Sequence, residues 1–306
     1  MKDKNLAGIL ALLFGGLGIH RFYLGQIGLG ILYIVATPIG NLGDITYRAV
    51  DVLRQVGCIV VEDSRHSSKL LQHYNISASV AVIHDHNERE NSIKLIEKLR
   101  QGIDVALISD AGTPLISDPG YWLVNLAIEQ SIKVVPIPGA SASIAALSVA
   151  GLPNDRFCFE GFLPAKKQAR TTRLEALVHE PRTLIFYEAP HRILDTLRDM
   201  VSAFDADRQA VIARELTKTF ETLLRATLGE LVEKVESDSN QQKGEIVVLV
   251  HGADESMTYD EQYQDRVLSL LIAELPVKKA ASIAAKLTGG KKNQLYDRAL
   301  ALKDSK

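Results

Sequence analysis

The sequence predicts a two-domain α/β protein followed by a small helical appendage. Short apolar runs alternate with stretches of helical spacing from Leu32 to Val149. The alternation breaks at Gly151–Asn154 and then starts again. A last stretch, Glu261–Lys303, is helical in composition and is interrupted only at Pro276 and at Gly289-Gly290. Strands alternating with helices argue for a mostly parallel sheet covered on both faces. A length of 306 residues suits two domains, and a hydrophobic share of 46% supplies their cores.

The elements follow in order. Leu32–Ala36 is a short apolar run that ends in a Thr-Pro-Ile-Gly turn, as a buried parallel strand does. Ile45–Gln55 has helical spacing, opened by Asp44 as N-cap. Cys58–Val61 is a strand, Ser67–Tyr74 a helix, Val80–Ile83 a strand and Glu90–Gln101 a charged helix. Val105–Ser109 is a strand leading into the Gly/Pro-rich stretch Asp110–Gly120. Trp122–Glu129 and Ser143–Val149 are helices on either side of the strand Lys133–Ile137. After the break, Phe157–Gly161, Thr183–Tyr187, Ala210–Ala213 and Glu245–Val250 are strands, with amphipathic stretches at Thr171–His179 and His191–Phe204. His251–Tyr263 is polar and loop-like. The resulting division is 1–31, 32–152, 153–252 and 259–306.

Residues 1–31 differ from the rest. Leu6–Ile19 is a charge-free run shorter than the roughly 18–20 residues that span a bilayer. The string GGLGIHRFYLGQIGLGIL resembles the first half of a TM2 domain, a pair of membrane helices joined by a His-Arg-Phe-Tyr-Leu-Gly turn. The second helix of that pair is cut short where the next pattern begins at Leu32. Lys2 and Lys4 ahead of an apolar stretch also fit a secretory signal, although the glycines and His-Arg-Phe-Tyr fit a cleavage region poorly. Leu32–Ala36 cannot be both the innermost strand of a sheet and half of a membrane helix. Burial on both faces favours the strand, which leaves 1–31 as an appended segment.

Ligands of open α/β sheets sit outside the carboxyl ends of the strands. Every unusual cluster in the first domain falls there: Thr37–Asn41, Asp63-Ser64-Arg65, His84–Glu88, Ser109–Pro114 and Pro136–Ser141. None is a G-x-G-x-x-G or a G-x-x-x-x-G-K-[ST] phosphate loop. Gly112 and Gly139 lie beside prolines, so they shape rigid turns suited to a neutral or cationic ligand. Cys58 and Cys158 sit singly in apolar runs, so they are expected to be structural and no metal site is expected.

LYIVATPIGNLGDITYRAV, VEDSRHSSKLL, HDHNE, ALISDAGTPLISDPG, PIPGASASIAAL, GLPNDRFCFEGFLP, FYEAPHRI, ARELTKTFE and GEIVVLV occur in that order. Together they resemble the ribosomal RNA small subunit methyltransferase I family, which has the tetrapyrrole-methylase fold. The resemblance runs from Leu32 almost to the end. It implies a cytoplasmic, homodimeric enzyme that transfers a methyl group from S-adenosylmethionine to a cytidine 2′-hydroxyl in 16S rRNA, on RNA or on the small ribosomal subunit. It also implies that the cofactor lies between the two α/β domains. By motif, Pro38, Ala111, Gly112, Thr113, Ile116, Ser141 and Ala142 fall at cofactor positions, with Glu188 contributing from the second domain. Thr113 stands where the tetrapyrrole enzymes carry an Asp, so that contact differs.

Methylation of a ribose hydroxyl needs the hydroxyl placed in line with an activated methyl group and a group to receive its proton. Asp63, His84, Glu88 and Asp110 are candidates for that group. Arg65 is expected to hold a phosphate or to pair with one of the carboxylates. The net charge of −2 leaves RNA binding to local patches. One is Lys166, Lys167, Arg170 and Arg173, and another is Pro276–Lys306, with eight Lys or Arg against two Asp. The rival readings are a methyltransferase for a tetrapyrrole or other small molecule, and a membrane-anchored binding protein working through residues 1–31. Thr113 and the basic tail speak against the first, and the short apolar pieces against the second.

Overall fold

A computed structural model describes residues 28–84, 87–253 and 261–304. Most of the TM2-like segment, and Asp85 and His86 of the third strand-end cluster, lie outside the described residues. The chain divides into two compact units, the first running to Ala146 and including Glu215–Thr222, the second holding the remainder.

The first unit is built on an all-parallel sheet of β1 (Ile31–Val35), β2 (Cys58–Val61), β3 (Ser79–Val82), β4 (Val105–Leu107) and β5 (Lys133–Ile137). The strand order is β3-β2-β4-β1-β5. β4 therefore holds the middle, and β1 is an interior strand between β4 and β5 rather than the innermost one. Alternate residues of the strands enter two separate cores, because successive side chains point to opposite faces. Leu32, Cys58, Val60, Val105 and Leu107 pack with α3 (Glu88–Arg100) and α4 (Tyr121–Glu129) through Leu95, Leu99, Leu123 and Ala127. Val35, Ile59, Val61, Ala106 and Ile108 pack with α1 (Tyr47–Gln55) and α2 (Ser64–His73) through Ala49, Leu53 and Leu71. Leu32 and Val35 are fully buried, which is why this segment is a strand.

Two helix starts differ from the sequence expectation. Thr46, not Asp44, caps α1, its hydroxyl accepting from the Ala49 amide, while Asp44 closes a short 3-10 turn. α2 begins three residues early, at Ser64, because Asp63 caps it by accepting from the Arg65 amide. α5 (Ala142–Ala150) follows β5, and the division between the units falls inside it.

The second unit has a mixed sheet rather than a parallel one. Its strands are β6 (Phe157–Phe162), β7 (Thr183–Glu188), β8 (Gln209–Arg214), β9 (Thr222–Thr227) and β10 (Ile246–Val250), in the order β6-β7-β10-β8-β9. β6 and β7 are parallel, whereas β10 runs antiparallel to both β7 and β8. Its core joins β7, β8 and β10 to α6 (Lys167–Glu175), α7 (Ile193–Phe204) and α8 (Leu228–Ser237) through Leu174, Leu197, Phe204 and Leu231. β9 and α8 are absent from the sequence reading. A capping box marks the start of α8, with Thr227 and Glu230 each accepting from the other's amide. Three further helices, α9 (Glu261–Glu274), α10 (Val277–Thr288) and α11 (Lys292–Asp304), share their own small core of Leu268, Ala281, Ala284, Leu295 and Ala299.

Candidate active site

The carboxyl ends of β1, β4 and β5 are tied together by backbone. Thr37 and Gly112 form an isolated antiparallel bridge, Thr37 N donating to Gly112 O at 2.8 Å and Gly112 N to Thr37 O at 3.1 Å. The Thr37 hydroxyl donates to Ser109 O at 3.2 Å, and the Thr113 hydroxyl to Ala140 O at 3.0 Å. Gly112 has φ 83°, a conformation L side chains rarely adopt, and a Cβ there would stand 3.3 Å from Ile39 Cγ2. From the segment Glu215–Thr222, the Thr217 hydroxyl accepts from Asn41 N at 3.1 Å.

Most of the expected cofactor residues therefore lie on joined loops. Pro38 and Gly112 are buried, Thr113, Ser141 and Ala142 are half-buried, and Ala111 and Ile116 are exposed. A glycine turn at positive φ, flanked by exposed loop backbone, fits a ligand that packs against main chain. Glu188 is different. In the second unit its carboxylate accepts from Arg192 Nε at 2.9 Å, from the Thr196 hydroxyl at 2.6 Å and from the Ala189 amide at 2.7 Å. It is 3% exposed and serves the start of α7.

The acid–base candidates separate in the same way. Glu88 is buried, and its Oε1 accepts from the Gly120 and Trp122 amides at 3.0 and 2.8 Å. It caps α4 and pins the exit of the Asp110–Gly120 loop, a positional task rather than an open carboxylate. His84 shares a turn with Asn87, whose Oδ1 accepts from the His84 amide and whose Nδ2 lies 3.0 Å from His84 Nε2. Asp63 and Arg65 pair with each other, Arg65 Nη2 lying 2.6 Å from Asp63 Oδ2. The Arg65 guanidinium and amide hold the Asp63 carboxyl down at about 2.

Asp110 joins two strand ends. Its Oδ1 accepts from the Asp63 amide at 3.2 Å, and its Oδ2 lies 2.9 Å from His66 Nδ1. His66 escapes the sequence reading because a helix starting at Ser67 leaves it in a loop, whereas α2 places it in the first turn. Asp118 was missed as well, hidden in a stretch that looks purely turn-forming. Partial burial pushes its carboxyl up to about 6, against a lowering hydrogen bond from Ser109, and the Asp110 charge adds to the rise. The backbone around it has positive φ at Leu115, Ser117 and Gly120 as well as at Gly112. Such conformations cost energy and gather at functional sites.

The basic run after β6 is divided: Lys166 and Lys167 are exposed, whereas its two arginines are paired within the unit. Arg170 is 4% exposed, and its Nε lies 2.7 Å from Asp199 Oδ2. Arg173 pairs with Glu160 at 2.5 Å. On the helical appendage, by contrast, Lys278, Lys279, Lys286, Lys291, Lys292 and Lys303 are exposed, while Arg298 pairs with Asp265.

Comparison with known proteins gives a consistent set of likenesses. The model of the Tetrapyrrole (Corrin/Porphyrin) Methylases matches residues 31–232, that of the RsmI C-terminal HTH domain matches 260–303, and that of the TM2 domain matches 1–45. The chain is 58% identical over 276 residues to Ribosomal RNA small subunit methyltransferase I of Pseudomonas aeruginosa, covering 89% of this chain and 97% of that one. The same-named protein of Escherichia coli O157:H7 is 54% identical over 274 residues, covering 89% and 95%. Among solved structures, a diphthine synthase aligns with a TM-score of 0.59 at 18% identity, over 72% of this chain and 90% of that one. A uroporphyrin-III-C-methyltransferase from Thermus thermophilus aligns with a TM-score of 0.54 at 17% identity, over 72% and 94%. The TM2 match overlaps β1, yet Ile31–Val35 pairs in parallel with both β4 and β5, so there the strand prevails.

Proposed function

Because the chain belongs to the tetrapyrrole methylase family and, within it, to the ribosomal RNA small subunit methyltransferase I family, we propose that it methylates a cytidine 2′-hydroxyl of 16S rRNA, with S-adenosylmethionine as methyl donor. The observation that carries this reading is the 58% identity over 97% of a relative of that name, helical appendage included. The solved tetrapyrrole enzymes share the fold at identities too low to speak for their substrates.

Bound S-adenosylmethionine supplies a methyl group already activated by a positively charged sulfur. The loops at Pro38, Ala111–Thr113, Ile116 and Ser141-Ala142 would hold it, against the bridged backbone of Thr37 and Gly112. The remaining work of the chain is to place the ribose hydroxyl in line and to accept its proton. The exposed lysines of α10 and α11 supply charge for phosphate contacts, which position a nucleic acid without reading its bases. We take the working form to be a homodimer in the cytoplasm, acting on the small subunit or its RNA. Among the described residues no helix is long and apolar enough to cross a membrane.

The test is transfer of a labelled methyl group from S-adenosylmethionine to purified small subunits that lack the modification, followed by nuclease digestion and mass spectrometry. The expected product is 2′-O-methylcytidine. Label appearing instead on a tetrapyrrole, or on no RNA at all, would overturn the reading.

A further inference from the structure

We propose that His66, oriented by Asp110, accepts the proton of the ribose hydroxyl; this rests on the methyl-transfer reading above and assigns its acid–base step. Both oxygens of Asp110 are engaged, Oδ1 by the Asp63 amide at 3.2 Å and Oδ2 by His66 Nδ1 at 2.9 Å. An ionised carboxylate only accepts, so the proton of a neutral imidazole sits on Nδ1 and Nε2 keeps its lone pair. The His66 side chain is 65% exposed, and its Nε2 has no hydrogen bond among the described residues. A base ring held at one nitrogen by a carboxylate and open at the other is the arrangement that proton-abstracting histidines use.

The other groups at this edge are less suited. Asp63 is held at about 2 by Arg65 and is a weak base. Glu88 spends its carboxylate on α4, and His84 shares its Nε2 with Asn87. The charged groups around His66 are Asp63, Arg65 and Lys69 on its own helix end, Asp110 from the end of β4, and Asp118 beyond Asp110. Asp118 is set apart by its burial, which raises its carboxyl more than the Asp110 charge does.

In the step itself the 2′-oxygen–hydrogen bond breaks and the proton passes to Nε2. The oxygen electron pair forms the new bond to the methyl carbon. The carbon–sulfur bond breaks with its pair left on sulfur, and the imidazolium then releases its proton to water.

The experiment measures methyl transfer to small subunits by the full chain from pH 5 to 9, together with calorimetric affinity for S-adenosylhomocysteine. Wild type should lose rate on the acid side, because protonating the base removes its lone pair, and this gives an acid limb. His66→Gln should lower kcat by about 10²–10⁴-fold, the usual contribution of a general base, and erase that limb. KM and S-adenosylhomocysteine affinity should stay within about twofold of wild type, or about 0.4 kcal/mol at tenfold per 1.4 kcal/mol. Asp110→Asn should lower kcat and move the limb to lower pH, because the imidazolium loses its counter-charge. Wild-type kcat in His66→Gln, or an acid limb that persists in it, would overturn the assignment. If Asp118→Asn alone erases the limb, the role passes to Asp118. If wild type itself transfers no methyl group to subunits, the function reading fails instead, and the two failures are distinguishable.

Discussion

The two sheets of this molecule use charge in opposite ways. The second unit buries two charge clusters and matches them internally: Arg170 with Asp199, and Glu188 with Arg192 and Thr196. In the first unit they gather at strand ends, where Asp63, Arg65, His66 and Asp110 bond to one another with at least one partner of each pair exposed. Connectivity explains the difference. An all-parallel sheet sends every strand into a loop at one edge, so its carboxyl end collects loops and their polar groups. A mixed sheet divides its loops between two edges, and its charges are free to brace helices.

The largest expected effect comes from breaking a brace. Glu188→Ala leaves Arg192, the Thr196 hydroxyl and the Ala189 amide without their acceptor. Removing one partner of a buried pair costs about 3–5 kcal/mol. Asp63→Asn, at the strand ends of the first unit, keeps an equally good N-cap and should change stability by less than about 0.5 kcal/mol. Urea unfolding of both variants checks the contrast, and equal losses would remove it.

Glu88 lies between the two uses, since it is a brace in the unit that holds the candidate site. Glu88→Gln weakens the cap on α4 and loosens the exit of the Asp110–Gly120 loop. The expected loss is about 1–2 kcal/mol, the range of a lost cap. Cofactor affinity should fall with it, because Ala111–Ile116 lie in the same loop. Unfolding curves and S-adenosylhomocysteine titration measure the two effects, and a stability loss with unchanged affinity would separate the loop from the cofactor.

Strand and helix order in the first unit was legible in the sequence because buried parallel strands are uninterrupted apolar runs between clear turns. Thr222–Thr227 was not legible, since TLLRAT carries an arginine and only two leucines and lies beside a polar loop. The mixed direction of the second sheet was hidden for a related reason. Β-rich runs look alike whichever way their partners point. The candidate site was partly legible, as a set of loops at one sheet edge. Gly112, Thr113 and Asp110 announced themselves by residue type and place, whereas His66 needed the true start of α2, which turns on whether Asp63 caps or catalyses. Glu88 and Glu188 look like site carboxylates in sequence and serve as helix anchors, because a carboxylate at a strand end has free backbone amides close by.

Asp118 gives a smaller effect with a defined sign. Its folded carboxyl titrates at about 6, above the ordinary value of 3.8. The folded state therefore binds this proton more tightly than the unfolded chain does. The resulting stability is fully present below about pH 4 and is lost as the pH rises through about 6. Asp118→Asn should raise the melting temperature at pH 7.5 and leave it nearly unchanged at pH 4. A shift of equal size at both pH values would show that the effect is not the carboxylate charge.

The smallest expected effect concerns where the first unit starts. The Gly30 amide donates to Leu99 O and the Ile31 amide to Asp104 Oδ1 at 2.7 Å. A Cβ on Gly30 would fall 2.0 Å from Ile103 O, so this glycine is fitted tightly against the turn after α3. A cut at Gly30 would turn a bonded amide into a charged terminus at that contact. A cut at Gly28 keeps both bonds, and among the described residues every strand and core residue of the sheet lies downstream of it. A chain beginning at Gly28 should match the full chain in melting temperature, S-adenosylhomocysteine affinity and methyl transfer, while one beginning at Ile31 should melt earlier. If the Gly28 chain loses stability or activity, residues 1–27 belong to the enzyme, and the parallel unit is not complete in the way its sheet implies.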